Sequence, residues 1–267
     1  MKNTIRRYGV LLLLIAVCPA AAEGIVRAQG WSVTEAQYQG GRALRPHLVS
    51  PSGFQNILTL QHASGWSYGE NFFFLDMICC SGSNADRDIY MEWYPYFNLG
   101  AISGQKLSWG PIRGIGPLAG LNWGAQAKVL KLGPGFRFQL DLPGFAFANV
   151  DYVYLVDRNQ GVAAGGAPKE GNSHLVDFNW GLPFEIGGAS FSFEGHGEWL
   201  SPRDTEFGFR APYWILFQPQ LRLDLGKAVA RRPGRVFAGI EMHVWVNKFG
   251  FEDADEVLPQ LLLVFRF

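Results

Sequence analysis

The sequence predicts an all-β fold, an antiparallel transmembrane β-barrel of twelve strands. Three observations carry that expectation. The chain is 48% hydrophobic but only 17% charged, well below the roughly 25% charged residues of a soluble domain. Its longest apolar run, near the N-terminus, falls short of the roughly 18 to 20 residues that a spanning helix needs. Its apolar residues instead alternate with polar ones over stretches of about 10 to 12 residues, the length of a tilted strand that crosses a bilayer. A chain that meets lipid without spanning helices can satisfy its backbone only as a closed barrel.

The N-terminus is read first. Lys2, Arg6 and Arg7 precede the apolar stretch Val10 to Val17, and Ala20-Ala21-Ala22 supplies a small-residue cleavage site, the pattern of a secretory signal peptide over 1–22. The bulky Val17 before Cys18 argues against a lipoprotein signal. The barrel then covers 23–267. Loss of three basic residues leaves twenty against twenty-three acidic ones, so nucleic acid is not an expected partner. The vicinal Cys79 and Cys80 are read as two thiols or one odd disulfide in a loop, because metal sites separate paired cysteines by two to four residues. Aromatic content excludes a disordered chain, and three cysteines are too few for a disulfide scaffold.

Twelve candidate strands follow in chain order, near 31–38, 54–63, 68–77, 87–97, 105–122, 125–142, 145–157, 174–182, 189–199, 213–225, 235–247 and 257–267. In the fourth, Asp88, Tyr90, Glu92, Tyr94 and Tyr96 alternate with Ile89, Met91, Trp93, Pro95 and Phe97. In the ninth, Ser190, Ser192, Glu194, His196 and Glu198 oppose Phe191, Phe193, Gly195, Gly197 and Trp199. The tenth sets Gln218, Gln220, Arg222 and Asp224 against Ile215, Phe217, Leu221, Leu223 and Leu225. The eleventh sets Glu241, His243 and Asn247 against Val236, Ala238, Ile240, Met242, Val244 and Val246. Trp66, Tyr68, Trp93, Trp180, Trp199, Tyr213 and Trp245 stand near strand ends, as aromatic girdles do in membrane barrels. The last strand places Leu261, Leu263, Phe265 and Phe267 on one face. Its terminal aromatic resembles the signal that barrels present to their assembly machinery. With Phe267 in the periplasm, the connections at 98–105, 142–144, 182–188 and 226–234 are periplasmic, and 158–173, 201–212, 248–256 and the Cys79-Cys80 loop face outward.

Four stretches stand together in order: WSVTEAQYQG from Trp31, QHASGWSYGENFFFLD from Gln61, YMEWYPYFNL from Tyr90 and LSWGPIRGIGPLAG from Leu107. They resemble the Tsx/OmpK family of nucleoside-specific channel-forming outer-membrane proteins, most clearly over 31–123. The resemblance implies a twelve-stranded barrel in the outer membrane of a Gram-negative bacterium, with a narrow channel through which nucleosides diffuse. Glu92 fits the family pattern. Tyr94 and Tyr96 stand where that pattern carries a further acidic residue and then a basic one after the proline.

A nucleoside has a flat base that stacks on aromatic rings and sugar hydroxyls that bond to carboxylates and amides, so its channel needs both kinds of side chain pointing inward. The expected stacking surfaces are Phe72, Phe74, Tyr90, Tyr94 and Tyr96. The expected hydrogen-bond acceptors are Glu70, Asp76, Glu92, Asp151, Asp177, Asn179, Glu194, Glu198 and Glu241, with Arg222 and Arg266 as basic partners. Any barrel of this size also needs polar residues merely to fill its lumen. An alternative reads His62 and Ser64 as the base and nucleophile of an acyl hydrolase on the lipid face. Gly65, however, stands where those enzymes usually carry Asn. A structural or receptor barrel is the third reading. No catalytic residue, metal or cofactor is expected; Gly114 to Gly120 misses the dinucleotide fingerprint and contains a proline. The expected partners are the lipid bilayer, the assembly machinery through Phe267, and a small polar solute.

Overall fold

A computed structural model of the chain describes residues 30–45, 54–79, 87–230 and 232–267. In chain order, the elements are β1 (Trp31–Arg42), β2 (Phe54–Trp66), β3 (Gly69–Cys79), β4 (Asp88–Phe97), the short helix α1 (Leu99–Ser103), β5 (Ile112–Gly124), β6 (Leu130–Leu140), β7 (Phe147–Asp157), β8 (Ser173–Ile186), β9 (Ala189–Leu200), the two-residue strands β10 (Arg203–Asp204) and β11 (Arg210–Ala211), β12 (Trp214–Asp224), the short helix α2 (Leu225–Ala230), β13 (Val236–Val246) and β14 (Glu256–Arg266). Twelve of the strands form one closed antiparallel barrel, in which each neighbours the next in sequence and β1 closes against β14. The closing register pairs Glu35 with Arg266 and Gly41 with Gln260. Strands β10 and β11 form a separate two-stranded hairpin between β9 and β12. No helix among the described residues is long and apolar enough to cross a membrane.

The fold buries its polar side chains and exposes its apolar ones. Arg222 is 2% exposed and Gln260 1%, whereas Leu261 and Ile240 are more than half exposed. In water that inversion would forfeit most of the hydrophobic driving force. In lipid the exposed apolar face costs nothing, and closure leaves no strand edge unpaired.

Prolines interrupt the ladders without breaking the wall. The β12–β13 pairing skips from Phe217/Val244 to Gln220/Glu241 around Pro219. The β4–β5 pairing likewise skips around Pro95, and the β6–β7 pairing around Pro134. Each proline lacks the donor that a ladder bond needs. Opposite Pro219 stands Gly195, whose φ of +146° and close approach to the Gln218 carbonyl admit no side chain. The indole of Trp180 lies beside this glycine on the outer face, packed against Phe178, Phe193 and Phe217.

Several boundaries differ from expectation. The strand expected over 105–122 runs from Ile112 to Gly124, because Trp109 and Ile112 close a tight turn on each other with Gly110 in the left-handed region (φ 53°); before it, Asn98 caps α1, accepting a bond from the Ala101 N–H, and Gly104 (φ 68°) ends the helix. The strand expected over 125–142 runs from Leu130 to Leu140, since Lys128 takes a left-handed conformation in the preceding loop. Helices α1 and α2 were not expected. Both lie in connections at the Phe267 end, which are therefore not all tight turns. Trp245 is no girdle residue: it points into the barrel, against Trp214 and Phe249. Trp180 faces outward but is covered by its aromatic neighbours. The leader expected over 1–22 and the side chains of Cys79 and Cys80 lie outside the described residues.

Candidate functional site: the barrel lumen

The period of two sends alternate side chains of every strand inward. Cross-strand register then decides which of them meet. On β6 and β7, Arg137 forks onto Asp151, with Nε 2.8 Å from Oδ1 and Nη2 2.6 Å from Oδ2, while Nη1 lies 3.4 Å from Glu70 of β3. Gln139 donates to the other Glu70 oxygen at 2.8 Å. From Asp151 the network passes to Asn179 and Asp177 of β8, then to His196 of β9, whose ring nitrogens face Asp177 (3.2 Å) and Gln218 of β12 (2.8 Å). Gln218 and Gln220 donate to Glu241 of β13. Gln220 accepts in turn from Arg222, and Arg222 reaches Glu35 of β1 at 3.1 Å and Glu194 of β9 at 3.4 Å. Arg266 holds the other Glu35 oxygen. Gln37 donates to Glu35 and Gln39 to Gln37. Thr59 of β2 lies beside Gln39 and donates to Asp76 of β3 at 2.6 Å. The network thus returns to the strand that also carries Glu70.

A second group sits on β4 and β5. The Tyr90 hydroxyl donates to Glu92 at 2.5 Å, Asn122 donates to the same carboxylate oxygen at 2.6 Å, and the Tyr94 hydroxyl donates to Asn122 at 2.8 Å. Phe74 lies 6.2 Å from both Phe72 and Tyr90. This corner of the lumen therefore places rings and a carboxylate side by side.

The structure turns all of the expected lumen residues inward: Glu70, Phe72, Phe74, Asp76, Tyr90, Glu92, Tyr94, Tyr96, Glu194, Arg222 and Glu241. It gives two of them a different setting. Tyr94 and Tyr96 join Leu118, Val153, Leu155, Leu175 and Leu200 in an apolar cluster inside the barrel, and Tyr96 is wholly covered. Its ring lies 5.6 Å from the Arg137 guanidinium. Of the stacking candidates, Phe72, Phe74 and Tyr90 remain outside that cluster.

Charge is unevenly distributed. Each lumen arginine is already engaged, Arg137 by Asp151 and Glu70, and Arg222 and Arg266 by Glu35. Asp76, Glu92, Asp177, Glu198 and Glu241 have no arginine or lysine partner among the described residues, and only His196 lies beside Asp177. Carboxyl groups therefore outnumber basic side chains on the wall between its arginine clamps.

Both ends of the barrel carry contacts among the described residues. At the loop end, Lys131 and Arg203 each approach Glu170 to 2.6 Å, and Lys248 meets Glu256 at 2.6 Å. Burial raises the Glu170 carboxyl, but the two cations outweigh it and hold the group below the usual carboxylate range. At the Phe267 end, α1 flanks a cavity of about 430 Å³ lined by Asn98, Gln105, Lys106, Arg113 and Asp141, among others. A smaller one of about 120 Å³ touches Glu70, Tyr96 and Gln139.

Sequence reasoning missed Arg137, Gln139, Asn122, Gln37, Gln39, Thr59, Gln218 and Gln220 as site residues because it ranked carboxylates and rings above amides. The odd positions of β1 (Glu35, Gln37, Gln39) and β6 (Lys131, Arg137, Gln139) carry the signal that would have found Gln37, Gln39, Arg137 and Gln139. His62 and Ser64 do share the outer face of β2. His62 Nδ1, however, lies 2.8 Å from Thr34 Oγ1, and its ring stacks on Phe73 at 5.4 Å. The hydrogen bond thus goes to Thr34 of β1 rather than to Ser64.

An outward apolar band, a closed twelve-stranded wall and a polar lumen define the class: this is a β-barrel of the outer-membrane type. Within that class the chain resembles the Tsx/OmpK-like channel family. It is 23% identical over 135 residues to outer membrane protein OmpK of Vibrio parahaemolyticus, a match covering 50% of this chain and 46% of that protein. The chain thus spans about half the length of the curated relative it matches. Among solved structures, the NanC porin shares the fold with a TM-score of 0.54 and 12% identity, covering 86% of this chain and 98% of that one. The KdgM porin aligns at a TM-score of 0.46 and 9% identity, over 87% of this chain and 99% of that one. No family model matches the chain.

Proposed function

We propose that this protein is an outer-membrane channel through which small polar solutes, nucleosides foremost, diffuse across a lumen lined by rings and carboxylates. The observation that carries this reading is the Tyr90, Glu92 and Asn122 group beside Phe74. A base can stack on such rings while ribose hydroxyls bond to the carboxylate and amide. The likeness to OmpK supports the channel reading. The excess of carboxyl groups over basic side chains disfavours an anionic solute. On this reading 1–22 directs export and is removed, Phe267 presents the C-terminal strand to the assembly machinery, and lipid surrounds the apolar band.

The test is conductance of the purified full chain in a planar bilayer, with and without added nucleosides. Reduction of the current by micromolar nucleoside supports the proposal. A chain that conducts salt but ignores nucleosides overturns the solute, and an electrically silent chain overturns the channel.

A further inference from the structure

One row of inward positions crosses five strands of the wall in register: Gln220 of β12, Glu241 of β13, Gln260 of β14, Gly41 of β1 and Gln55 of β2. The first two are hydrogen-bonded to each other. Gln260 is not. It is 1% exposed, yet neither its amide nitrogen nor its amide oxygen has a hydrogen-bond partner. The side-chain oxygen of Gln55 is likewise buried and unpaired. Buried amide atoms without partners are costly, so a wall that keeps the Gln260 amide and the Gln55 oxygen unpaired on either side of one residue requires an explanation.

Between the two amides stands Gly41. A Cβ there would lie 2.0 Å from the Pro259 carbonyl oxygen and 2.9 Å from the Gln260 Cα. The position is therefore closed to any side chain and leaves bare backbone between the glutamines. Neighbouring strands are about 4.8 Å apart, so the backbones of Gln260 and Gln55 stand about 10 Å apart.

We propose that Gln260, Gly41 and Gln55 form a subsite that holds the cis-amide edge of a neutral planar solute, an N–H beside a C=O, as in a pyrimidinedione base. The inference rests on the channel reading above and adds to it the face of the solute that is read. A primary amide is the complement of such an edge: its oxygen accepts the ring N–H and its NH₂ donates to the ring carbonyl. Glu241, next along the row, accepts from Gln218 and Gln220 and has acceptor capacity left for a further donor. It also makes the row unfavourable for an anion.

The experiment compares uridine with 3-methyluridine, which lacks the ring N–H, as blockers of the purified full-length channel. Uridine is expected to block the unmodified protein about tenfold better, the worth of one well-made buried hydrogen-bond pair. In Gln260→Met, close in shape but apolar, that ratio is expected to fall towards one, and Gln55→Met should lower it in part. Barrel integrity of each variant is read from the mobility difference between unheated and heated samples. Equal block by the two nucleosides in the unmodified protein overturns the subsite and leaves the channel reading standing. A ratio unchanged in Gln260→Met overturns it equally. Absence of block by either nucleoside overturns both proposals.

Discussion

The Arg222 guanidinium lies 3.1 Å from the Glu35 carboxylate although 187 residues separate the two, and both side chains are 2% exposed. Arg222 belongs to β12 and Glu35 to β1, so the contact crosses the inner faces of β13 and β14. It passes Gly239, the inward residue of β13 paired with Arg222, which offers no side chain to obstruct it. Arg266 of β14 binds the same carboxylate from the next strand. The first and last strands of the barrel are thus held both by their ladder and by a buried ion triad.

Losing Arg222 leaves the buried Glu35 carboxylate with Arg266 alone and takes the arginine away from Glu194. Arg222→Met is therefore expected to lower barrel stability by about 3 kcal/mol, measured as a shift in the urea unfolding curve in detergent or liposomes. The double variant with Glu35→Gln should recover part of that loss, since it removes the buried carboxylate that Arg266 alone would have to balance. Additive losses would show that the pair is not energetically coupled.

The carboxylates without basic partners predict ion preference. In a potassium chloride gradient the channel is expected to favour potassium over chloride. Neutralising Glu92→Gln together with Glu198→Gln should move the zero-current potential towards that of an unselective pore. A chloride-selective wild type would contradict the charge pattern described above.

Stacking is tested at β4. Tyr90→Ala with Tyr94→Ala is expected to slow nucleoside entry in liposome swelling about tenfold, the order of one lost base-ring contact, while glycerol entry changes little. Equal losses for both solutes would mean that the rings only fill space. Tyr90 is the more informative of the two, because Tyr94 also packs in the apolar cluster.

The loop-end clamp predicts acid sensitivity of a definite sign. The Glu170 pKa in the folded protein is lowered beneath its unfolded value of about 4.3. The clamp therefore contributes fully above that value, and its contribution is lost as pH falls through the lower folded value. The exchange rate of the amides in loop 158–172, divided by the intrinsic rate at each pH, should stay constant from about pH 8 to 5 and rise only below about pH 4. Glu170→Gln should remove that acid step. A rise already between pH 8 and 5 would assign the closure to another group.

Much of the architecture was legible before any coordinates. The alternation in β9, β12, β13 and β14 gave each strand's inner face correctly, and the closing strand Glu256–Arg266 falls where the terminal aromatic placed it. The reading was weakest around β5 and β6. There Gly114, Gly116, Gly120, Gly133 and Gly135 dilute the period of two, and 105–111, assigned to a strand, belong to the connection that follows α1. Trp245 was misjudged for a related reason: a tryptophan near a strand end reads as interfacial, while its parity, shared with Glu241 and His243, points it inward.

The sequence by itself determined the strand count, the side of the wall on which nearly every side chain falls, and lipid as the outer solvent, because these follow from a period that each strand carries locally. Tertiary structure alone decided which inward residues meet. The partnership of Arg137 with Asp151 and Glu70, the reach of Arg222 to Glu35, and the unpaired Gln260 amide and Gln55 oxygen on either side of Gly41 all depend on the stagger between neighbouring strands. Barrel closure sets that stagger collectively, so no single strand encodes it.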